Sequence, residues 1–391
     1  MEATARPAFR KTVERVAAGT RTLPQRYFVS PEILAEEEEK IFLKHWLLVG
    51  HQSQIPAAGD YFVQETAGES VIIVRDRSGV VRGFYNVCRH RGTRLCEDLG
   101  GHSSTIQCPY HAWTYGLDGR LIGSPHMEEV QGFDRAQYSL HAVNLGLWEG
   151  FIFVNLAKKP GPLEEWFAPL SGKFSHWNLP QLRSVKRVEY DVKANWKLIF
   201  ENYSECYHCP GVHPMLSKVS PSDSAENDLT EGPFLGGFMR INKGQSLTMS
   251  GKACAIPVAG REQELPTTSP SEGGQERVFY YSIFPNMLLS MHPEYVMVHQ
   301  LWPQAPDRTL IVCDWFFHPE ARERDDFFPE DAIEFWDVTN KQDWHVCELS
   351  QQGIASRAYE PGPYSSRESI PAAWDREYLR RMGGGKRPTS N

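Results

Sequence analysis

The sequence predicts an α+β chain: a small antiparallel β module carrying metal-type ligands, followed by a larger domain of long strands and helices. Three observations support this. Short β-rich runs (DYFVQE, SVIIVRD, GFIFVNL) occupy residues 60–156, with Gly, Asp and Pro turns between them. Two loops inside that stretch each hold one cysteine and one histidine. Beyond it, extended, helical and strand-like segments alternate over more than 200 residues. At 391 residues the chain has room for two domains, or one large domain with a smaller one inserted.

In chain order, SPEILAEEEEKIFLKHW reads as a helix. Ser30 caps it, Pro31 suits its first turn, and acidic residues favour its N-terminal end. The Glu36–Glu39 run reads as a solvated face of that helix rather than a metal patch. After the β module, SVKRVEYDVKANW is extended and WKLIFENYSECYH helical. RVFYYSIFPNMLLSMHPEYVMVHQLWP and RTLIVCDWFFHP read as long strands, and Asp325 to about Ala358 as helix. GREQELPTTSPSEGGQ, residues 260–275, is expected to be a mobile loop. There is no internal repeat or low-complexity tract.

The net charge of −8 argues against nucleic-acid binding, since the basic patches Arg89–Arg94 and Arg380–Arg387 are short. No apolar run is long enough to span a bilayer and the N-terminus has no signal-peptide core, so a cytoplasmic protein is expected. Eight cysteines in a reducing compartment then point to metal ligation, catalysis or burial rather than a disulfide framework.

Seventeen residues lie between His90 of the loop CRHRG (Cys88, His90) and Cys108 of the loop CPYHAW (Cys108, His111). One thiolate and one imidazole from each loop suit a [2Fe–2S] cluster whose two irons are ligated differently, cysteines on one and histidines on the other. A zinc site uses the same donors, but zinc fingers pair the cysteines together and the histidines together. Cys96 fits neither loop and reads as a buried thiol. Further on, ENYSECYHCPGVHP places His208 and His213 five residues apart around Pro210 and Gly211, so both imidazoles can reach one metal. Two histidines and a carboxylate on one face are the ligand set of non-heme Fe(II) oxygenases. Cys206 and Cys209 read as packing residues, because thiolates beside an oxygen-activating iron oxidise readily. No G-x-G-x-x-G follows a strand and no P-loop is present; GGGK near the C-terminus follows no strand pattern.

Motif order and spacing in CRHRG, CPYHAW and NWKLIFENYSECYHCPGVHP resemble the catalytic subunit of the Rieske non-heme iron oxygenases, over roughly Tyr27 to Tyr378. The resemblance implies a Rieske [2Fe–2S] domain at residues 45–156, with Cys88, His90, Cys108 and His111 as ligands. It further implies a helix-grip (START-like) catalytic domain at 157–391 with one iron, and a helical segment at 1–44 packed on it. His208 and His213 would be iron ligands, with a late-helix aspartate as the third. QDWHVCELSQQG matches that pattern and nominates Asp343, with Asp337 and Glu348 as weaker alternatives. Glu205 would bridge the iron histidine to a Rieske histidine of the neighbouring subunit of a homotrimer. Glutamate, where the family usually has aspartate, is shared with the carnitine, choline and betaine monooxygenase branch.

The implied activity is O2-dependent monooxygenation of a small quaternary-ammonium compound. Hydroxylation next to nitrogen gives a hemiaminal that collapses with loss of an aldehyde. Electrons would come from NAD(P)H through a separate flavin/iron–sulfur reductase. Hydroxylation or O-demethylation of an aromatic acid is the alternative, and a Rieske electron carrier without oxygenase activity a remote one. Asn202 and Tyr203, with some of Tyr281, Asn286, Leu288 and Met291 by strand alternation, are the expected pocket residues.

Overall fold

Residues 10–11, 20–258 and 276–383 are described by the computed structural model, so the loop expected at 260–275 lies outside the described residues. Contacts divide the chain into two units. One comprises Phe42–Phe174 with Leu179–Gln181; the other comprises the residues up to Ile41, Ser175–Asn178, and those from Leu182 onward.

The strand β1 (Arg10–Lys11) and the helices α1 (Arg26–Val29) and α2 (Pro31–Glu37) come first. Ser30 caps α2 by accepting from the Ile33 N–H, as its sequence suggests. A π-helical turn, Glu38–Phe42, replaces the longer expected helix. The acidic run is also not uniformly solvated. Glu37 is fully buried, where it accepts hydrogen bonds from Lys197 Nζ (2.6 Å), Trp196 Nε1 (2.8 Å) and Tyr378 Oη (2.5 Å). Three donors, one of them cationic, compensate the desolvation of that carboxylate.

The unit containing Phe42–Phe174 is built from β2 (Leu47–His51), β3 (Asp60–Thr66), β4 (Glu69–Arg75), β5 (Val81–Tyr85), β6 (Gly100–His102), β7 (Ile106–Gln107), β8 (Thr114–Tyr115), β9 (Leu121–Gly123), β10 (Asn144–Trp148) and β11 (Phe151–Asn155), followed by the short helix α3 (Leu163–Phe167). These form three antiparallel sheets, ordered β5-β4-β3-β6, β7-β8-β9 and β10-β11-β2. A core of Val63, Ile72, Val74, Phe84, Trp113 and Tyr115 also takes in Cys88 and Cys108.

The other unit adds β12 (Arg183–Val192), helices α4 (Trp196–Tyr203), α5 (Cys209–Val212) and α6 (Pro214–Val219), then β13 (Glu226–Leu229), β14 (Phe234–Arg240), β15 (Arg277–Ile283), β16 (Met287–Met291), β17 (Tyr295–Ala305) and β18 (Arg308–Phe317). The helices α7 (Glu330–Ile354) and α8 (Ser369–Arg381) complete it. Its eight strands form one antiparallel sheet, ordered β1-β13-β14-β15-β16-β17-β18-β12. The strand-like run from Arg277 to Ala305 is broken twice, once around Pro285 and once around Pro293, which is where a residue without an N–H interrupts a ladder.

Side-chain hydrogen bonds hold α7 on the sheet, among them Trp336 Nε1 donating to Tyr295 Oη (2.6 Å) and Tyr190 Oη to Asp337 (2.9 Å). The α4 helix is capped by Asn195 and anchored by the buried Lys197–Glu37 pair, and Trp374 of α8 stacks on its Phe200 at 5.1 Å. The expected fold class, an antiparallel β module plus an antiparallel sheet gripping a long helix, is the one observed. Among the described residues no helix is long and apolar enough to cross a membrane.

Candidate metal centres and the cavity

The two cysteine–histidine loops have the same backbone. Cys88 N–H donates to Thr93 O (2.8 Å) and Gly92 N–H to Cys88 O (3.0 Å); Cys108 N–H donates to Trp113 O (2.8 Å) and Ala112 N–H to Cys108 O (3.1 Å). Each turn closes on a left-handed residue, Gly92 at φ 75° and Ala112 at φ 55°. Glycine enters that region without penalty, whereas for alanine it costs about 1–2 kcal/mol. The two thiols are buried and close enough to hydrogen-bond. The imidazoles lie outward, with His90 and His111 centroids 4.7 Å apart and His90 stacked on Trp113 at 4.8 Å. Two inner sulfurs and two outer nitrogens fit a cluster with chemically distinct irons.

Tyr115, which no sequence motif marks, reaches the Cys88 sulfur at 3.3 Å. Its oxygen already accepts the Arg89 N–H (3.0 Å), so the phenol proton is free to point at sulfur. Burial raises the Cys88 pKa, and hydrogen bonds from Tyr115 and the His90 backbone partly offset that. Cys96 is a partly buried free thiol beside this core, and burial pushes it up to about 11.

The second constellation lies wholly in the unit with the eight-stranded sheet. Helix α4 ends at Tyr203, earlier than expected, so Glu205 and His208 share a turn rather than a helical face. The single turn of α5 then separates His208 from His213. Nε2 of His208 and Nε2 of His213 are 3.2 Å apart, and Asp343 Oδ1 from α7 lies 3.2 Å from the first and 2.9 Å from the second. Metal–ligand bonds of about 2.1 Å at right angles separate donor atoms by about 3.0 Å, so this triangle fits one face of an octahedral ion.

Both rings are oriented from behind. Glu205 Oε1 takes the Nδ1 proton of His208 (2.6 Å) and Gln342 Oε1 that of His213 (2.8 Å), leaving the Nε2 atoms for the shared point. The other Glu205 oxygen accepts from the Tyr207 and His208 backbone N–H groups. Gln342 was not legible as a site residue, although it adjoins Asp343. Burial alone would lower the His208 pKa; the carboxylates of Asp343 and Glu205 outweigh it and raise it to about 10. The pocket is therefore one that attracts positive charge. Asp337 and Glu348 do not reach it: the first binds Tyr190 and Lys341, the second the Lys193 N–H.

Cys206 and Cys209 differ from expectation, since they form a disulfide rather than packing as separate thiols. The turn brings their Cα atoms within 5.0 Å, which is bridging distance. The Cys209 sulfur lies within 4.8 Å of both histidine donors, but as a disulfide it offers no thiolate to a metal.

A cavity of about 890 Å³, including the space open to solvent, lies over the triad. Asn202 and Tyr203 line it; Tyr281, Asn286, Leu288 and Met291 do not. The strand register gives the reason. Tyr280 pairs with Gly237 and Ser290, so these share the cavity face, and their neighbours Tyr281 and Met291 belong to the opposite one. Tyr281 there donates to Asp228 (3.1 Å). Leu288 pairs with His299 but is fully covered, and Asn286 sits in the β15–β16 turn. The walls come instead from Tyr203, Phe238, Tyr280, His299 and, along one face of α7, Trp336, Asn340 and Trp344. Gly236 and Gly237 let β14 lie close against its neighbouring strands: a Cβ on either would clash with the backbone carbonyl of Tyr280 or Glu226.

Residues 179–384 match the family described as the ring hydroxylating alpha subunit (catalytic domain), and residues 45–134 the Rieske [2Fe-2S] domain. The chain is 32% identical to a glycine betaine monooxygenase oxygenase subunit of Chromohalobacter salexigens, covering 90% of this chain and 83% of that protein. It is 31% identical to a carnitine monooxygenase oxygenase subunit of Escherichia coli (strain K12), over 86% of this chain and 85% of the other. Among solved structures, the quaternary ammonium Rieske monooxygenase CntA, bound to an inhibitor, aligns with a TM-score of 0.78 at 25% identity. That alignment covers 93% of this chain and 95% of the other.

Two outcomes are expected from this geometry. Tyr115→Phe removes a hydrogen bond of about 1 kcal/mol to cluster sulfur, so the one-electron potential should fall by about 40 mV with the visible spectrum retained; an unchanged potential in film voltammetry would contradict the assignment. His208 is protonated below about pH 10 in the metal-free site, so a metal binding its Nε2 displaces one proton. Fe(II) affinity should therefore rise about tenfold per pH unit between about pH 7 and 9, measured anaerobically against a competing chelator. A pH-independent affinity would rule out that exchange.

Proposed function

Because the chain belongs to the Rieske non-heme iron oxygenases, the family with ring-hydroxylating alpha subunits, we propose that it monooxygenates a small quaternary-ammonium compound such as a betaine or carnitine. The family's [2Fe–2S] cluster, mononuclear iron and O2 make it an oxidoreductase. The observation that carries the substrate reading is the charge and shape of the cavity. Its wall is aromatic (Tyr203, Phe238, Tyr280, Trp336, Trp344), the acidic groups Glu205 and Asp343 face it, and no lysine or arginine lines it among the described residues. Aromatic faces backed by carboxylates favour a fixed organic cation by cation–π and long-range attraction. An aromatic acid has no cationic end for these aromatic faces to hold. The names of the relatives agree with the cationic reading.

In this proposal His208, His213 and Asp343 hold the iron, and Cys88, His90, Cys108 and His111 hold the cluster. When bound, these centres supply O2 activation and stored electrons. The chain's own residues do the rest. Glu205 and Gln342 fix both histidine tautomers, and the aromatic wall holds a C–H bond next to nitrogen towards the triad. Overall, one oxygen atom enters that C–H bond and the other leaves as water, using two electrons and two protons. The hemiaminal then loses an aldehyde as its C–N bond breaks, the nitrogen takes the electron pair and the hydroxyl proton passes to solvent. The electrons come from a separate reductase of the flavin/iron–sulfur type. In a homotrimer Glu205 would also link the iron of one subunit to the cluster of the next. We assign residues 45–156 to the Rieske domain, 157–391 to the catalytic domain and 1–44 to a segment packing on the latter.

The substrate class is tested by O2 uptake with a surrogate reductase. Glycine betaine, carnitine or choline should stimulate uptake at least tenfold over the substrate-free rate, with aldehyde formed in step. Stimulation by aromatic acids alone would overturn the proposal.

A further inference from the structure

Among the polar side chains of the cavity wall, one histidine stands apart. His299, on β17, is 1% exposed, yet it lines the cavity. No hydrogen bond of normal geometry reaches either ring nitrogen, although the Asn340 side chain is near enough to act on the ring as a weak partner. The ring is wedged edge-on between Tyr203 (centroids 6.3 Å, 70°) and Trp344 (5.9 Å, 89°), so its orientation is set by aromatic packing. Burial lowers its pKa to about 4 against smaller raising effects from Asn340 and Asp343, which makes it a neutral imidazole with one donor and one acceptor. An unpaired donor and acceptor this deeply buried are costly unless something enters to pair them. A second buried histidine with unpartnered nitrogens, His292, stacks on Tyr295 at 4.1 Å and does not line the cavity. Of the two, His299 is the one a ligand can reach.

We propose that His299 is the hydrogen-bonding anchor for the oxygen-bearing end, carboxylate or hydroxyl, of the quaternary-ammonium substrate. This rests on the substrate reading above and sharpens it: the aromatic wall takes the cationic end, and the imidazole fixes the other. The compound is then held at two points, and His299 determines which quaternary-ammonium compounds are accepted. It acts by positioning the substrate and takes no part in bond breaking.

The test compares wild type, His299→Leu and His299→Gln as cluster- and iron-loaded enzymes against glycine betaine, choline and tetramethylammonium. Kd is read by anaerobic calorimetry, and KM and kcat by O2 uptake. His299→Leu should raise Kd and KM about tenfold or more for the oxygen-bearing compound the wild type prefers, with kcat changed less than about threefold. Tetramethylammonium, which has no oxygen, should bind both proteins equally, and His299→Gln should recover most of the loss. Whether glycine betaine or choline suffers the loss separates a carboxylate anchor from a hydroxyl anchor. Equal weakening of all three ligands, or no change, would overturn the anchor while leaving the substrate class intact. A wild type that binds none of the three and shows no carnitine-stimulated O2 uptake overturns the substrate class, and the anchor with it.

Discussion

Two carboxylates on one half-buried imidazole set the terms for the catalytic unit. Asp343 and Glu205 both contact His208, one at each ring nitrogen, and Asp343 also contacts His213. Such an arrangement carries excess negative charge away from water, and only a cation or a proton can balance it. A divalent ion held by the triad would supply that balance.

The rest of the unit holds those donors in place. Asp343 lies 130 residues from His213 in sequence, so the triangle depends on how α7 and the α4–α5 segment are docked. The sheet fixes α7 through the Tyr295–Trp336 and Tyr190–Asp337 hydrogen bonds. On the other side, α4 is pinned by Lys197 and Trp196 to Glu37, with α8 contributing Tyr378. Cys347 of α7 also contacts the Leu198 carbonyl of α4, so the two helices carrying or leading to the ligands touch directly. The Cys206–Cys209 disulfide closes the turn that presents Glu205 and His208. In the β module, twin turns of the same hydrogen-bond pattern present the cysteines and histidines through backbone bonds between residues no more than five apart.

What the sequence revealed follows this division between local and distant determinants. Cys88, His90, Cys108 and His111 lie within short turns, so spacing alone groups them as one candidate ligand set. His208 and His213 are similarly local. Asp343 was legible only through resemblance, because no periodicity links it to residues far earlier in the chain. Once Asp343 is named, helical spacing points to Trp336, Asn340 and Trp344 on the same face. The strand wall was misread because period-two alternation does not say which parity faces inward; the choice of Tyr281 over Tyr280 was undetermined by pattern. Glu37 looked solvated because its partners lie about 160 and 341 residues away, and Gln342 and Tyr115 act on ligands through contacts that motifs do not encode.

The central claim, that His208, His213 and Asp343 form a metal site separate from the cysteine–histidine cluster, is tested most directly by metal and sulfide analysis of Asp343→Ala. The account predicts that iron falls from about three to about two per chain while acid-labile sulfide and the visible spectrum stay unchanged. Full iron retention, or loss of the cluster together with the third iron, would contradict it.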